Sequence, residues 1–262
     1  MPREFRLLME KSERKRNSRL ILALDVVEEN PEKIFSRSMS IIESVHEYIC
    51  AIKINHHLIL PLGLFNGVKR IIERARELEL PTIVDCKAND IGSTNRIIAE
   101  NYFRAGFDAL IANPFVGWED GLQPIFEVAD KMGRGVILLI YMSHKAAWEG
   151  YGQNVYDPTS GRVEPQYIIF AKKALSWNAD GAIVGATYPE KIREIYGILG
   201  DSIPIYSPGV GVQGGDIETA ILAGSYYLIV GRLIVEADNP ARTAKIIRDR
   251  INNSLKRIKK LI

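Results

Sequence analysis

The chain has 262 residues, of which 47% are hydrophobic and 25% charged, and this is enough for one large hydrophobic core. A formal net charge of +2 gives no strong field that would attract nucleic acid, and no apolar run is long enough to span a membrane. Residues 1–19 are basic and polar and lack the apolar core of a signal peptide. We therefore expect a soluble, cytoplasmic protein in which residues 1–19 form a frayed, solvated extension.

Short runs rich in isoleucine, valine and leucine recur along residues 20–262, and helix-like stretches separate them. The runs are continuous rather than alternating, which is typical of parallel strands that are buried on both faces. The predicted strands are Leu20–Leu24, Ala51–Ile54, Thr82–Val84, Ala109–Ala112, Gly135–Ile140, Ala182–Val184, Ile203–Tyr206 and Tyr227–Val230. Helical periodicity is clear over Gly67–Leu78 and Ala241–Ile258. This pattern favours a single (β/α)8 TIM barrel over a doubly wound open sheet.

One connection is much longer than the others. It runs from Tyr141 to about Pro165 and contains several glycine, asparagine and proline residues. A loop of this length in a compact domain usually has a function or is mobile. Because it follows the fifth predicted strand, we expect it to lie over the face of the barrel that carries active sites.

Polar residues stand where the predicted strands end. They are Asp25 after the first strand, Lys53 in the second, Asp85 and Lys87 after the third, Ser143 after the fifth, and Gly231 with Arg232 after the eighth. Any one of them could be a helix cap or a solvated strand end. Because the carboxyl ends of all barrel strands converge on one face, we expect these residues to form one site.

The densest cluster runs from Asp85 to Thr94. Alternation along a strand places Asp85 and Lys87 on the same side. Asp90 and Thr94 are four residues apart, so they share a face if a helix begins there. The structural alternative is a salt-bridged strand end in which Asp90 is the N-cap of the next helix.

The motif Asp-x-Lys-x-x-Asp-Ile-x-x-Thr over Asp85–Thr94 resembles the signature of the orotidine 5′-phosphate decarboxylase family. Further similar segments follow the family's order, namely Leu22–Asp25, Lys53, Ser143, Ser207–Asp216, Val230–Arg232 and Ala237–Pro240. The chain departs from the family after Ser143, where His144-Lys145-Ala146 replaces the Pro-Gly that often follows the serine. The insertion that continues to Pro165 is also longer than expected.

The resemblance implies a homodimeric TIM barrel, without cofactor or metal, that converts orotidine 5′-phosphate to uridine monophosphate and carbon dioxide. It implies an alternating catalytic row of Lys53, Asp85, Lys87 and Asp90, in which Lys87 stabilises negative charge and donates a proton. The implied substrate-binding residues are Asp25, Lys53, Thr94, Ser143, Gln213, Gly231 and Arg232. Asp90 and Thr94 would reach the substrate of the neighbouring subunit. Backbone N–H groups of the glycine-rich loop before Asp216 would help to bind the phosphate.

Three other functions have to be weighed against this one. Magnesium-dependent sugar-phosphate enzymes of the hexulose-phosphate synthase type share Asp-x-Lys-x-x-Asp, but they need a further acidic ligand where this chain has Lys53. A barrel that binds a nucleotide without catalysis is the second alternative. The third is a dinucleotide site, because residues 209–214 read Gly-x-Gly-x-x-Gly, although no acidic residue ends the following strand at Gly231.

Overall fold

A closed barrel of eight parallel strands organises the computed structural model, which describes residues 4–158, 160–211 and 213–258. The order around the barrel is β1-β2-β3-β4-β5-β8-β9-β10, and β10 pairs with β1. The strands are β1 Leu20–Ala23, β2 Ala51–Ile54, β3 Thr82–Ala88, β4 Ala109–Ala112, β5 Gly135–Tyr141, β6 Asn154–Asp157, β7 Arg162–Pro165, β8 Gly181–Val184, β9 Ile205–Pro208 and β10 Tyr227–Val230. All eight predicted barrel strands are confirmed, as is the TIM-barrel fold.

Helices follow the strands around the outside of the barrel. They are α1 Glu4–Arg16, α2 Pro31–Val45, α3 His56–Leu62, α4 Lys69–Glu77, α5 Gly92–Ala105, α6 Gln123–Met132, α7 Ala147–Gly150, α8 Gln166–Ser176, α9 Pro189–Leu199, α10 Ile217–Leu222, α11 Arg232–Val235 and α12 Pro240–Ile258. The helix predicted over 67–78 begins in a π-helical segment, Gly63–Val68, and continues as α4. The described helices are all too short or too polar to cross a lipid bilayer.

The strands lie between two apolar layers, which explains why their sequences are continuous rather than alternating. One set of side chains packs outward against the helices, as Leu22, Ile52 and Leu138 do. The other set fills the barrel interior, and it includes Ile21, Ala51, Ile83, Ala109, Ile137, Ile183, Tyr206 and Tyr227. The interior is therefore a packed core.

Helix α1 is packed against the barrel, so the expectation of a frayed, solvated arm is wrong for residues 4–16. Phe5 and Met9 are each 1% exposed and belong to the cluster that fills the barrel interior. Arg16 is also buried, and its guanidinium donates to the backbone carbonyls of His46, Leu78 and Glu79. The composition of the segment is basic and polar. Two apolar residues four positions apart, Phe5 and Met9, are nevertheless enough to anchor the helix, because they pack against a hydrophobic surface.

Replacing Phe5 with alanine should lower the free energy of unfolding by about 3–5 kcal/mol, because a buried aromatic side chain is lost. The Phe5 ring packs so closely against Gly135 that a Cβ there would overlap it. Urea denaturation monitored by circular dichroism would measure the loss. The matched control is Leu7→Ala on the same helix, since Leu7 is 48% exposed and should cost little. Equal stability of the two variants would show that α1 does not support the barrel.

The connection after β5 is structured rather than an open loop. It contains the short helix α7 and a hairpin in which β6 and β7 pair antiparallel, from Asn154 opposite Pro165 to Asp157 opposite Arg162. The hairpin is tied to the barrel wall through α8, where Gln166 N donates to Gln153 O and Tyr167 N donates to Tyr151 O. The predicted placement of this connection over the active-site face is confirmed only where the connection starts. Ser143 lines the cavity described below, whereas residues 144–158 and 160–165 do not.

Candidate active site

One cavity of about 220 Å³ opens at the carboxyl ends of the barrel strands. Eight of the ten predicted site residues line it, namely Asp25, Lys53, Asp85, Lys87, Ser143, Gln213, Gly231 and Arg232. They come from the ends of different strands, as closure of a parallel barrel requires. The floor is apolar and is formed by Ala23, Ile111, Leu139, Ile183 and Ile229. The cavity thus combines a hydrophobic base with a rim of charged and polar groups.

Asp85 lies between two lysines at the centre of this rim. Lys53 Nζ donates to Asp85 Oδ2 at 2.8 Å, and Lys87 Nζ donates to Asp85 Oδ1 at 2.6 Å. The side chains of Lys53 and Asp85 are 6% and 13% exposed, whereas that of Lys87 is 38% exposed. The inner pair is therefore desolvated, and the Lys87 ammonium is the one that an incoming ligand can contact.

The buried pair remains fully charged. Burial alone would lower the pKa of Lys53, but the carboxylates of Asp85 and Asp25 outweigh it and raise that pKa above its usual value. Burial would likewise raise the pKa of Asp85, but Lys53 and Lys87 hold it at about 2. Near neutral pH the row is thus a cation, an anion and a second cation fixed side by side, and this arrangement can stabilise developing negative charge without reorganisation.

The backbone at Lys87 departs from regular strand geometry. Its φ is +48°, in the left-handed region, and the register between β3 and β4 shifts between Val84 and Ala88. Such a conformation costs a non-glycine residue about 1–2 kcal/mol. Lys87 and Asp85 still share one side, as predicted, because both line the cavity. Strained backbone of this kind is concentrated at functional sites, where the surrounding structure maintains it.

Asp90 and Thr94 do not line the cavity of their own barrel. Both are exposed, at the turn that precedes α5 and in its first turn. The alternative in which Asp90 is the N-cap is wrong, since Ile91 occupies that position and Asp90 Oδ1 accepts from Ile91 N at 2.7 Å. Asn95 holds the turn in place by donating to the carbonyl oxygens of Asp90 and Gly121. The exposed carboxylate of Asp90 thus takes no part in lining the cavity of its own barrel.

Gln213, Gly231 and Arg232 border the cavity on the side of β9 and β10. Gly231 is the N-cap of α11, which begins at Arg232, and a Cβ at Gly231 would lie 3.0 Å from Asp25 Oδ2. The sequence predicts that backbone N–H groups of the glycine-rich loop help to bind the phosphate; in this structure those of Gly211, Gly214 and Gly215 donate to carbonyls within the loop. Val212 lies outside the described residues.

Among the cavity residues that the sequence interpretation did not name as site residues are Asn55, Met142 and Leu233. Met142 and Leu233 are neighbours of the predicted Ser143 and Arg232, and no sequence signal distinguishes them. Asn55 could have been found, because it stands two residues after Lys53 near the end of β2. The alternation that pairs Asp85 with Lys87 also points Asn55 to the side of Lys53.

Metal ligands are a separate question. Within residues 4–158, 160–211 and 213–258, no group of three or more histidine, cysteine, aspartate or glutamate side chains could hold a metal ion. The acidic side chains that line the cavity there are Asp25 and Asp85, and the latter is engaged by two lysines.

Comparisons with known proteins identify a family that covers almost the whole barrel. The model of the orotidine 5′-phosphate decarboxylase / HUMPS family matches residues 18–247, so that α1 lies outside the match. An orotidine 5′-phosphate decarboxylase of Methanosarcina mazei is 38% identical over 243 residues, which is 92% of this chain and 98% of the relative. The crystal structure of the decarboxylase from Pyrococcus horikoshii OT3 is 36% identical, covers 88% of this chain and 98% of its own, and superimposes with a TM-score of 0.73.

The decarboxylase structure from Methanocaldococcus jannaschii, complexed with the inhibitor BMP, is 32% identical, covers 89% of this chain and 98% of its own, and superimposes with a TM-score of 0.75. The resemblance to this family that the Asp85–Thr94 motif indicates is therefore confirmed. It extends over almost the whole barrel. From the match and the relatives together, the chain belongs to the orotidine 5′-phosphate decarboxylase / HUMPS family.

Proposed function

We propose that the chain decarboxylates orotidine 5′-phosphate to uridine monophosphate directly, with Lys87 as electrostatic stabiliser and proton donor. The observation that carries the proposal is the row Lys53–Asp85–Lys87, held by hydrogen bonds of 2.8 and 2.6 Å at the rim of the cavity. The bond between C6 and the carboxylate breaks, carbon dioxide leaves, and the electron pair stays on C6. The Lys87 ammonium then transfers its proton to C6.

Charge placement explains why a lysine suits this step. The carbanion at C6 has little resonance stabilisation, so a fixed cation beside it lowers the energy of the transition state. Lysine can both carry the charge and release the proton, whereas an arginine guanidinium cannot be deprotonated at neutral pH. Asp85 keeps the ammonium in place and lies next to the expected position of the substrate carboxylate. Repulsion there would favour departure of carbon dioxide.

The remaining cavity residues divide between the ribose, the base and the phosphate. Asp25 and Lys53 would bind ribose hydroxyls, and the apolar floor with Met142 and Ser143 would receive the pyrimidine. At the ends of β9 and β10, Arg232 would bind the phosphate through its guanidinium, with Gly231 and the side chain of Gln213 beside it. The phosphate is remote from C6, so its binding energy can drive closure of Gln213 over the substrate.

We also infer a homodimer in which Asp90 and Thr94 complete the partner's site. Both are exposed beside their own cavity, and hydrophobic side chains near them are exposed too: Ile91 is 66%, Ile97 55%, Leu60 77% and Phe65 53% exposed. Leu60 lies on α3, Phe65 on the segment 63–68, Ile91 at the N-cap of α5 and Ile97 on α5, and the segment 63–68 contacts both helices. An exposed apolar surface beside a carboxylate that does not serve its own site fits an isologous dimer interface.

A cytoplasmic location stays a prediction.

A turnover assay with orotidine 5′-phosphate, followed by ultraviolet absorbance before and after exhaustive chelation, tests the proposal. We expect full activity in both, because the charge stabilisation comes from Lys53 and Lys87 and no cofactor takes part. Loss on chelation and recovery with magnesium would contradict the metal-free mechanism, whereas no turnover of this substrate before chelation would leave a sugar-phosphate enzyme of the hexulose-phosphate synthase type as a candidate. Binding of the nucleotide without turnover would favour a non-catalytic barrel.

A further inference from the structure

Asn55 makes contacts that connect a helix end to the cavity. Its Nδ2 donates to Asp25 Oδ1 at 2.7 Å. Its Oδ1 accepts from His57 N at 2.8 Å, which makes Asn55 the N-cap of α3, and His57 Nδ1 lies 2.7 Å from the same oxygen. The amide nitrogen of Asn55 thus donates to Asp25, and its amide oxygen accepts from His57.

The helix cap dictates which end of the amide faces Asp25. If the amide were turned over, Nδ2 would meet the N–H of His57, donor against donor, and Oδ1 would meet the Asp25 carboxylate, acceptor against acceptor. Both contacts would be repulsive in a half-buried place. Helix α3 therefore presents a fixed N–H donor to Asp25.

Asp25 has Gly231 on its other side. Its Oδ2 lies against Gly231, where a Cβ would be only 3.0 Å away. The hydrogen bond from Asn55 thus fixes one carboxylate oxygen of Asp25, while the other lies beside the glycine that begins α11. The carboxylate that Asn55 orients in this way borders the cavity, and so does Asn55 itself.

We propose that Asn55 is a positioning residue, which sets the direction in which Asp25 accepts a ribose hydroxyl of the nucleotide. The inference rests on the proposed function, because it needs a ribose at Asp25. Asn55 acts through Asp25 and contributes to binding of the ribose in the ground state and the transition state alike. Its loss is therefore expected in KM rather than in kcat.

The test is a double-mutant cycle on the steady-state constants for orotidine 5′-phosphate. Asn55→Ser keeps a side chain that caps α3 well but cannot also reach Asp25. We expect KM to rise about tenfold, as for loss of a hydrogen bond to a charged group, and kcat to change less than about threefold. In an Asp25→Ala background the same substitution should change KM by less than about twofold, because nothing remains to be positioned.

The control is Asn30→Ser, since Asn30 caps α2 through Lys33 N in the same manner and does not line the cavity. Its KM should equal that of the wild type. Suppose that the wild type turns over the substrate. An unchanged KM in Asn55→Ser, or an equal rise of KM in the wild-type and Asp25→Ala backgrounds, would then overturn the positioning role. A wild type without turnover would instead overturn the proposed function.

A second variant keeps the test independent of folding defects. Asn55→Asp preserves the cap but removes the donor and sets a second carboxylate against Asp25. Two adjacent carboxylates raise one of their pKa values, so that near neutral pH they repel and at lower pH they share a proton. KM of this variant should exceed that of Asn55→Ser at pH 8 and fall towards the wild-type value as the pH decreases. A pH profile of KM parallel to that of the wild type would contradict the role.

Discussion

Lys87→Ala should abolish turnover of orotidine 5′-phosphate while leaving nucleotide binding within about tenfold of the wild type. The ammonium is expected to act on the transition state, where charge develops at C6, and little on the ground state. The inner pair of Lys53 and Asp85 stays intact in this variant, because it has its own hydrogen bond of 2.8 Å. Steady-state kinetics and calorimetric titration with uridine monophosphate measure the two effects.

Lys87→Arg is the matched control, since it keeps a cation near Asp85 but cannot donate a proton at neutral pH. We expect it to bind the nucleotide and to remain far below wild-type turnover. Recovery of activity in Lys87→Arg would mean that charge alone is needed. Turnover of Lys87→Ala within tenfold of the wild type would rule out Lys87 as the proton donor.

Mixing inactive Lys87→Ala subunits with inactive Asp90→Ala subunits should restore about a quarter of wild-type activity. With random exchange about half of the dimers are mixed. One site of each mixed dimer carries both lesions and the other carries neither, so one site in two is active there. The exposed position of Asp90, outside the cavity that Lys87 lines, motivates the expectation.

Each variant incubated alone serves as the control, and native mass spectrometry shows whether subunits have exchanged. Circular dichroism of Asp90→Ala checks the turn before α5, because Asp90 Oδ1 accepts from Ile91 N. If mixed dimers form and no activity returns, Asp90 acts within its own subunit and the shared site is wrong.

The order of the barrel and most of its candidate site could be predicted from the sequence. Strands buried on both faces need apolar residues at consecutive positions, so runs such as Ala109–Ala112 mark β4 without any tertiary information. Closure of a parallel barrel then brings the strand ends together, whichever loops connect them. This is why Asp25, Lys53, Asp85 and Lys87 could be assigned to one cavity although up to 62 positions separate them.

Other features depend on contacts between distant segments, and only the tertiary structure decided them. Helix α1 is polar in composition, and it is ordered because the amino-terminal end of the barrel offers a hydrophobic surface to Phe5 and Met9. The hairpin of β6 and β7 depends on α8, and the left-handed backbone of Lys87 depends on a register shift against β4.

Asn55 shows the same distinction within a single residue. Its position on the cavity side follows from the period of the strand, but the direction of its amide follows from α3 on one side and Asp25 on the other. Periodicity in a sequence reports which face a residue occupies. The partner that a polar group finds on that face depends on which distant segments folding brings within hydrogen-bonding distance.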